Sequence, residues 1–443
     1  MKKSNLKVLF YTNTLRAFRS NLIGYLYEIC QVYPVILLSE ELDPKTEKII
    51  KDKSLFPKLE KIIPIGQYDR EKNIWKKHSA LCHLAESIIK IHKPDVVIAI
   101  GSFFFESYLR RFAKKEGAVT ISGIGPLLFK NIKDFIAFRM LLSTHLSTPA
   151  FLPFQVRMLF IKLKKHLGQF FYYWILPLLA RQKPFIGEPS SILWWDYSRS
   201  KGADYYFVFT KRDYDFLIQQ GMSVNKLRIL AHPLSGKSRE FFKEIYLKKD
   251  FKKNSDRRIL TIMWPLLLIG FRHDNYSVIS EKETKEHRIK IIRIISKILK
   301  EWKIFIKPHP MIKDIPGQFE EIVQTFEPIS NLIKVVDPAE SAEEYIEISD
   351  AIMGFPPACM TLFTASLQTP EKPILSLNLK QELLGDFYND SDIIEYIDTE
   401  EKFIDILEKI RDNKYYKNSK IEAEKYDFSN IVELLEYLLS KKN

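Results

Sequence analysis

Short apolar runs rich in β-branched residues alternate along the chain with longer segments in which apolar residues recur every three or four positions. The short runs lie at 7–11, 34–38, 61–65, 95–100, 119–122, 205–210, 258–263, 303–306, 332–336, 350–354 and 373–378. The longer segments lie at 21–31, 75–92, 104–115, 283–300, 342–349, 359–367, 401–411 and 430–440. Buried strands alternating with amphipathic helices predict parallel α/β layers, so we expect Rossmann-like domains.

The domain boundary is predicted from a change in composition. Residues 243–257 are rich in Lys and Asp and poor in apolar side chains, and the chain of 443 residues exceeds the usual size of one domain. We therefore predict an N-terminal domain at 1–245 and a C-terminal domain at 256–428. The amphipathic segment 429–443 is predicted to be a helix that crosses the junction.

An insertion at about 150–182 interrupts the alternation. Its core at 154–180 carries Lys162, Lys164 and Lys165 among Leu, Phe and Tyr residues and Trp174. The uncharged stretch within it is shorter than the ~20 residues that a membrane span needs. Aromatic residues beside lysines are typical of helices in a membrane interface, so these four residues are predicted to bind an anionic surface. A buried helix whose lysines reach water is the alternative.

The net charge and the cysteine content restrict the classes of binding partner and of metal or disulfide site that the chain is expected to have. The net charge of +13 favours an acidic partner, although it is also compatible with solubility alone. The chain has no zinc-finger or RNP-like pattern, so nucleic acid is not a predicted partner. Its three cysteines form no CxxC pair, which predicts neither a disulfide framework nor structural zinc and fits a reducing compartment. The N-terminus shows no signal-peptide pattern.

The sharpest chemical motif follows the strand predicted at 303–306. Lys307, Pro308, His309 and Pro310 end that strand abruptly, and the carboxyl ends of parallel strands are where ligands bind. The two prolines restrict the backbone around His309, and Lys307 adds positive charge. Both side chains suit a phosphate that gains charge as it departs, so they are predicted donor-phosphate contacts. A strand-ending turn with an incidental histidine is the alternative.

A second predicted phosphate contact lies where a strand at 350–354 leads into a helix. The amides at that helix N-terminus could hold a phosphate, with Cys359, Thr361 and Thr364 on its first turns. Glu340 and Glu343 precede or open the preceding helix and are candidate contacts of the donor ribose or base. An ordinary βα turn and ordinary helix-start carboxylates are the alternatives.

The N-terminal half supplies weaker candidates. Thr12, Asn13 and Thr14 follow the first strand, where an acceptor-side loop is expected. Glu106 follows the strand at 95–100 and is the candidate general base. A second His-Pro pair at His232 is interpreted as a hinge element lining a cleft rather than as a second catalytic histidine.

These motifs together resemble the GT-B glycosyltransferases. The similarity is greatest to the bacterial group with a His-Pro motif that acts in capsule and lipopolysaccharide synthesis, with relatives that transfer sialic acid, Kdo or polyol phosphate. It is carried by 307–310, by the phosphate loop and following strand at 354–374, and by the strand and helix at 202–233. The resemblance implies two Rossmann-like domains facing a cleft, with the basic aromatic helical insertion added.

The resemblance also implies a function. The chain is expected to be an inverting, metal-independent glycosyltransferase that moves a sugar from a nucleotide-sugar donor, with a slight preference for a CMP-sugar. The acceptor is expected to be lipid-linked or a surface polysaccharide, met at the cytoplasmic face of the membrane. No cofactor is expected, because the nucleotide-sugar is a substrate.

Two departures from the family pattern keep other functions open. The N-terminal half lacks the paired acidic residues followed by Gly that sialyltransferases use as a base, and Ala358-Cys359 stands where they place Ser-Ser or Ser-Thr. A nucleotide-sugar 2-epimerase or hydrolase, a polyol-phosphate transferase of the teichoic acid type and a non-catalytic binding protein are the alternatives.

Overall fold

A computed structural model provides the architecture of the chain. It describes residues 6–12, 23–39, 42, 44–65, 74–100, 104–123, 153–179, 181–182, 202–234, 238, 241, 257–266, 270–271, 278–356, 359–382, 393–415 and 426–442. The chain divides into two compact units: the first comprises Met1–Leu127, Leu146–Phe242 and Glu424–Asn443, and the second Leu128–His145 and Lys243–Ala423.

The first unit is built on a parallel sheet, seven-stranded in its described part, with the order β3-β2-β1-β4-β5-β6-β7. Its strands are Val8–Thr12 (β1), Val35–Ser39 (β2), Leu59–Pro64 (β3), Val96–Ile100 (β4), Val119–Gly123 (β5), Tyr205–Val208 (β6) and Leu227–Ile229 (β7). Its helices are Ile23–Val32 (α1), Pro44–Ile50 (α2), Ile74–His92 (α3), Phe104–Lys115 (α4), Phe154–Phe170 (α5), Leu176–Leu179 (α6), Lys211–Gln219 (α7) and the terminal Ile431–Lys442 (α13).

Hydrophobic periodicity explains how these helices cover the sheet. In α3 the buried residues Leu81, Cys82, Ala85, Ile88 and Ile89 recur at helical spacing and pack into one cluster with the strands. Parallel sheets need cover on both faces, so their strands read as continuous apolar runs. That is why the predicted strands of this unit appear in the structure with shifts of only one or two residues.

The terminal helix α13 packs within the first unit, against α1. Its first amide, that of Ile431, donates to the buried carboxylate of Glu28 over 3.1 Å, and Phe428 just before it forms a bridge with Leu230 beyond β7. The chain therefore returns to its first unit after completing the second.

The second unit contains a six-stranded parallel sheet in its described part, with the order β12-β11-β8-β13-β14-β15, and a small antiparallel hairpin. The sheet strands are Ile259–Trp264 (β8), Lys303–Pro308 (β11), Ile333–Val335 (β12), Ala351–Gly354 (β13), Ile374–Leu377 (β14) and Glu395–Ile397 (β15). The hairpin pairs Gly270–Phe271 (β9) with Val278–Ile279 (β10), and the helices are Glu281–Ile298 (α8), Gln318–Phe326 (α9), Ala342–Ile348 (α10), Cys359–Gln368 (α11) and Glu400–Arg411 (α12).

The strand order of this sheet places a topological switch point at β8. The chain moves from β8 outward to β11 and β12, then crosses to the other side of β8 and continues through β13, β14 and β15. Ligands of open α/β sheets bind beside the carboxyl ends of the strands where the order reverses. The ends of β8 and β13 are therefore the expected ligand position in this unit.

The insertion contains a helix, as the sequence predicted. Helix α5 continues through a π-helical turn at Phe171–Ile175 into α6. Within the described residues, no helix combines the length and the apolar character that crossing a membrane requires.

Candidate functional site

His309 occupies the carboxyl end of β11 and starts the 3₁₀ turn Pro310–Asp314. Its amide donates to the carbonyl of Trp264 over 2.9 Å, which joins this turn to the end of β8. Its ring Nδ1 accepts the amide hydrogen of Met311 over 3.2 Å. Since Nδ1 is an acceptor, the neutral ring carries its proton on Nε2. The ring is partly exposed, and Nε2 is its donor at the predicted ligand edge of the sheet.

Lys307 has a different environment from the one that the motif suggests. The residue is buried, and its Nζ donates to the carbonyl oxygens of Pro308 and Pro338 over 2.8 and 3.1 Å. In this arrangement the ammonium stabilises the turn that presents His309. Its predicted contact with a donor phosphate stays a prediction.

The predicted phosphate loop leads from β13 into α11. This helix begins at Cys359, whose side chain lies outside the described part, and its first turn contains no acidic residue. Thr361 is partly exposed and Thr364 is buried. No acidic residue of that first turn therefore opposes an anion at the positive end of the helix dipole.

The two candidate ribose contacts bind to their own neighbours. Glu340 accepts a hydrogen bond from the hydroxyl of Tyr345, and the buried Glu343 accepts one from the hydroxyl of Ser341. These local bonds order the start of α10. The predicted contact of either carboxylate with ribose or base stays a prediction.

In the first unit, Thr12 and Glu106 both lie at the carboxyl edge of the sheet. Thr12 ends β1 and pairs with Ile100 at the end of β4, and Glu106 follows in the first turn of α4. Glu106 is fully buried, and Arg110 is buried one turn later with its Nη2 donating to Ser107 over 3.3 Å. Asn13 and Thr14 lie outside the described residues.

A buried polar pair near this edge was missed by sequence reasoning. The ring Nδ1 of His78 and the hydroxyl of Tyr108 are 2.9 Å apart, and both residues are buried. They belong to α3 and α4, which contact each other across their helical faces. Each residue reads in sequence as one position of an amphipathic helix, so only the packing of the two helices brings them together.

His232, the second histidine followed by proline, is buried in the first unit. Its Nδ1 accepts the amide hydrogen of Leu234 over 3.2 Å, and its ring packs edge-on against Phe209 with centroids 4.9 Å apart. Burial lowers the pKa of His232 to about 3. The sequence interpretation as an element lining a cleft is therefore wrong for this side chain, which is a neutral part of the core.

Sequence reasoning also missed a buried arginine at the switch point of the second unit. Arg288 lies on α8, and its guanidinium is 5.0 Å from the ring centroid of Trp264 and 5.2 Å from that of Phe355. Those aromatic residues lie at the ends of β8 and β13. In the sequence, Arg288 is one of several charged residues in a helix rich in Lys and Glu, so its burial could not be predicted from the sequence pattern.

The predicted membrane segment presents an exposed apolar face. Seven large apolar side chains of α5 and its continuation are exposed. Six of them are at least 53% exposed and Trp174 is 44% exposed; the full set is Leu159, Phe160, Leu163, Leu167, Phe170, Trp174 and Leu178. We call this set the α5 stripe. Ile161, on the opposite face of the helix, is buried. The side chains of Lys162, Lys164 and Lys165 lie outside the described part.

Across the part of the chain that the structure describes, His, Cys, Asp and Glu side chains form no group of three placed to hold a metal ion. The expected independence from metal stays a prediction.

Comparisons with known proteins give the fold. The chain matches no protein-family model and no curated relative. It does match solved structures along nearly its whole length. A putative UDP-N-acetylglucosamine 2-epimerase from Listeria monocytogenes is 12% identical with a TM-score of 0.58, over 99% of this chain and 96% of that chain.

Two further neighbours represent different activities on the same fold. The UDP-GlcNAc 2-epimerase from Methanocaldococcus jannaschii is 14% identical with a TM-score of 0.55, over 98% of this chain and 99% of that chain. UGT73P12 from Glycyrrhiza uralensis, in complex with glycyrrhetinic acid 3-O-monoglucuronide, is 10% identical with a TM-score of 0.54, over 99% of this chain and 96% of that chain. The chain therefore has a two-domain α/β fold of the GT-B type, the fold that is also found in enzymes of nucleotide-sugars.

Proposed function

We propose that the chain is a glycosyltransferase that moves a sugar from a nucleotide-sugar to a lipid-linked or surface-polysaccharide acceptor without a metal ion. The observation that carries this proposal is the partly exposed His309 at the carboxyl end of β11, one strand from the switch point of a GT-B donor-type sheet. Ligands of such sheets bind at this edge.

In the proposed reaction, the side chains at this edge stabilise the leaving nucleotide phosphate. As the bond between the sugar and the donor phosphate breaks, negative charge grows on the phosphate oxygens. The Nε2–H of His309 can donate to that charge, and the N-terminus of α11 adds the positive end of its dipole. The acceptor hydroxyl attacks the sugar carbon and loses its proton to a general base. Glu106 is the residue predicted from sequence for that role, and its carboxylate is fully buried in the first unit.

The proposal includes docking on an anionic membrane surface through the α5 stripe. Its exposed residues recur at helical spacing from Leu159 to Leu178, so one face of the helix is apolar over most of its length. Helix geometry sets the Cα positions of Lys162 and Lys164 about 100° to either side of Leu163. Apolar residues between flanking lysines suit a helix lying in the headgroup region.

A nucleotide-sugar 2-epimerase is the second candidate, because solved 2-epimerases share the fold over nearly the whole chain. Their likeness, at 12% and 14% identity, concerns the fold. An epimerase acts on the nucleotide-sugar alone, whereas a glycosyltransferase needs an acceptor to turn over rapidly. The α5 stripe favours the transferase. An epimerase has a soluble substrate and a soluble product, so it does not need an exposed apolar face that binds a membrane.

Product analysis separates the two candidates. The purified protein is incubated with UDP-, CMP-, GDP- and dTDP-sugars, with and without a lipid-linked glycan fraction, and the products are resolved by anion-exchange chromatography. Nucleotide release that depends on the glycan fraction supports the transferase. A new stereoisomer of the intact nucleotide-sugar, formed without acceptor, would instead establish the epimerase.

A further inference from the structure

Three buried side chains of the second unit each carry a hydrogen-bond donor that has no acceptor among the described residues. The donors are the hydroxyl of Thr284, Nη1 of Arg288 and Nε1 of Trp264, and the three residues are 3%, 2% and 3% exposed. An unpaired buried donor is costly, and more so when it is charged. Buried polar groups are nearly always paired, so this set indicates an acceptor that binds here.

The three donors are neighbours at the switch point. Thr284 and Arg288 are four residues apart on α8 and therefore lie on one face of it. The guanidinium of Arg288 packs over the ring of Trp264, which ends β8, and over that of Phe355, which follows β13. These are the two strands between which the order of the sheet reverses. The donors thus converge where ligands of this fold class bind.

The charge balance at this position favours an anion. Burial lowers the pKa of Arg288 only to about 10, so its guanidinium is charged at neutral pH. The charge of Glu382 raises the pKa of Arg288 and partly opposes the effect of burial. Within the described residues, however, no ion pair or hydrogen bond joins the side chains of Arg288 and Glu382. Burial raises the pKa of Glu382 to about 7, so its carboxyl group is only partly ionised there. The buried cation is therefore incompletely neutralised.

Arg288 also reaches the turn that leads into α11. Its Nη2 donates to the carbonyl oxygen of Pro356 over 3.0 Å, and α11 begins three residues later. The first turn of α11 has no acidic residue, whereas the first turn of α8 carries Glu281 and Glu283. Helix N-termini favour anions, and no acidic residue in the first turn of α11 competes with one there. The helix dipole and the guanidinium therefore favour the same ligand.

His309 provides a separate donor one strand away. Strand register pairs Pro308 with Trp264 and Gly354 with Met263, so His309, Trp264 and Phe355 follow one another along the edge at strand spacings of ~4.8 Å. A phosphate at His309 and a second at Arg288 would be neighbours. Two donor positions that follow one another along the same edge favour a ligand with two linked phosphates.

We propose that Thr284, Arg288 and Trp264 form a second phosphate site beside His309, and that the donor is a nucleoside diphosphate sugar. The identity of the ligand as a donor rests on the proposed function. The inference narrows the donor class away from the CMP-sugars that the sequence resemblance favoured, because a CMP-sugar carries one phosphate.

Titration of the full chain with UMP, UDP, CMP and CDP tests the second phosphate. Wild-type protein is expected to bind each diphosphate at least about tenfold more tightly than its monophosphate, since hydrogen bonds to charged groups are the strong ones. Thr284→Val keeps the shape of the side chain but removes its hydroxyl, and Trp264→Phe removes the indole N–H. Each should weaken UDP binding about tenfold and UMP binding much less.

The matched control is Thr325→Val, because the hydroxyl of Thr325 donates within its own helix to the carbonyl of Glu321. It should leave all four affinities unchanged. A ligand site also predicts that Thr284→Val does not lower the unfolding midpoint of the free protein, since it removes an unpaired buried hydroxyl. A purely structural hydroxyl would give the opposite result.

The outcomes separate this inference from the proposed function. Equal wild-type affinities for mono- and diphosphates, or undiminished UDP binding by Thr284→Val, would overturn the second phosphate site while the proposed function stands. Binding of none of the four nucleotides by wild type, and of none of GMP, GDP, dTMP and dTDP in the same titration, would overturn both. The wild-type comparison and the conservative Thr284→Val decide the question even if Trp264→Phe does not fold.

Discussion

Two histidines followed by proline have opposite environments in this chain, and burial alone separates them. His309 stands at the end of a strand with its ring partly exposed, whereas His232 is 2% exposed and packs against Phe209. Both rings accept a backbone amide at Nδ1, so their local turns are alike. The difference in solvent access makes His309 a candidate for chemistry and His232 a part of the core.

Removing the imidazole of His309 should impair turnover. We expect His309→Ala to lower the rate of sugar transfer by about 10²–10³-fold, the range for losing one donor to developing charge. The variant should remain folded with at most a small fall in its unfolding midpoint, because the ring is not part of the core and its loss removes one hydrogen bond, to the Met311 amide. Ile315→Ala, an exposed residue that follows the same turn, is the control and should retain full activity. Wild-type turnover by folded His309→Ala would contradict the role.

His232 should make stability depend on pH. Its pKa is lowered to about 3 in the folded chain and is near 6.5 when unfolded, so its stabilising effect is present above pH 6.5 and is lost as the pH falls towards 3. Between pH 7.5 and 5.5 this residue should remove about 1.4 kcal/mol from the free energy of unfolding. Denaturant titrations should show a smaller loss in His232→Gln. An identical pH dependence in both proteins would contradict the assignment.

Residues of the proposed site were predictable only where the motif is local. His309 could be identified in the sequence because a proline flanks it on each side. Thr284 and Arg288 share a helix that reads in sequence as charged and exposed, and Trp264 lies twenty positions earlier. No local pattern encodes that a charged residue is buried, because burial is decided by which strand end the helix covers.

At the scale of elements, strands and helices with continuous patterns were predictable and the shortest ones were not. The helix Phe104–Lys115 was predicted with its observed bounds, since apolar residues mark every turn. The strands Leu227–Ile229 and Glu395–Ile397 were missed because three residues with a charged side chain form no apolar run. Each pairs at an edge of its sheet, where one neighbour suffices.

The α5 stripe and its lysines should bind anionic vesicles. Each basic residue near such a surface contributes ~1 kcal/mol, so Lys162→Glu, Lys164→Glu and Lys165→Glu combined should weaken binding by at least about two decades. Binding should also weaken with salt. Co-sedimentation with anionic and neutral vesicles measures both effects.

Apolar variants separate the stripe from the charges. Phe160→Ser combined with Leu167→Ser should reduce vesicle binding, while Ile91→Ser, at a residue 70% exposed in the first unit, should not. Nucleotide affinity should be unchanged in all these variants, because the donor edge belongs to the second unit. Vesicle binding equal to wild type in both the lysine and the stripe variants would contradict the membrane role.

At the scale of the molecule, the repeated Rossmann-like order is the feature that the sequence predicted best. Alternating strands and helices in both halves indicated parallel sheets, and the structure confirms the two-domain GT-B architecture. The chain divides into two units after Phe242, and the predicted domain bounds of 1–245 and 256–428 stay a prediction. Donor and acceptor were not predictable, because many chemistries share this fold and differ in a few side chains.

Metal independence is a prediction about the full chain and is tested on it. Because helix dipoles and donors such as His309 are proposed to stabilise the leaving phosphate, transfer should continue at full rate in excess EDTA. The control is the same assay with added magnesium or manganese, which should not raise the rate. Loss of activity in EDTA that magnesium or manganese restores would show that a metal takes part.

The proposed function requires the second unit to bind a nucleotide at the edge that carries His309. Thermal unfolding of the full chain with CMP, CDP, UDP, GDP and dTDP tests it most directly. A ligand at a hundred times its Kd adds about 2.7 kcal/mol of stability, so at least one nucleotide should raise the unfolding midpoint clearly. The same nucleotide should have a smaller effect on His309→Ala. No rise with any of the five nucleotides, or an equal rise in both proteins, would contradict the account.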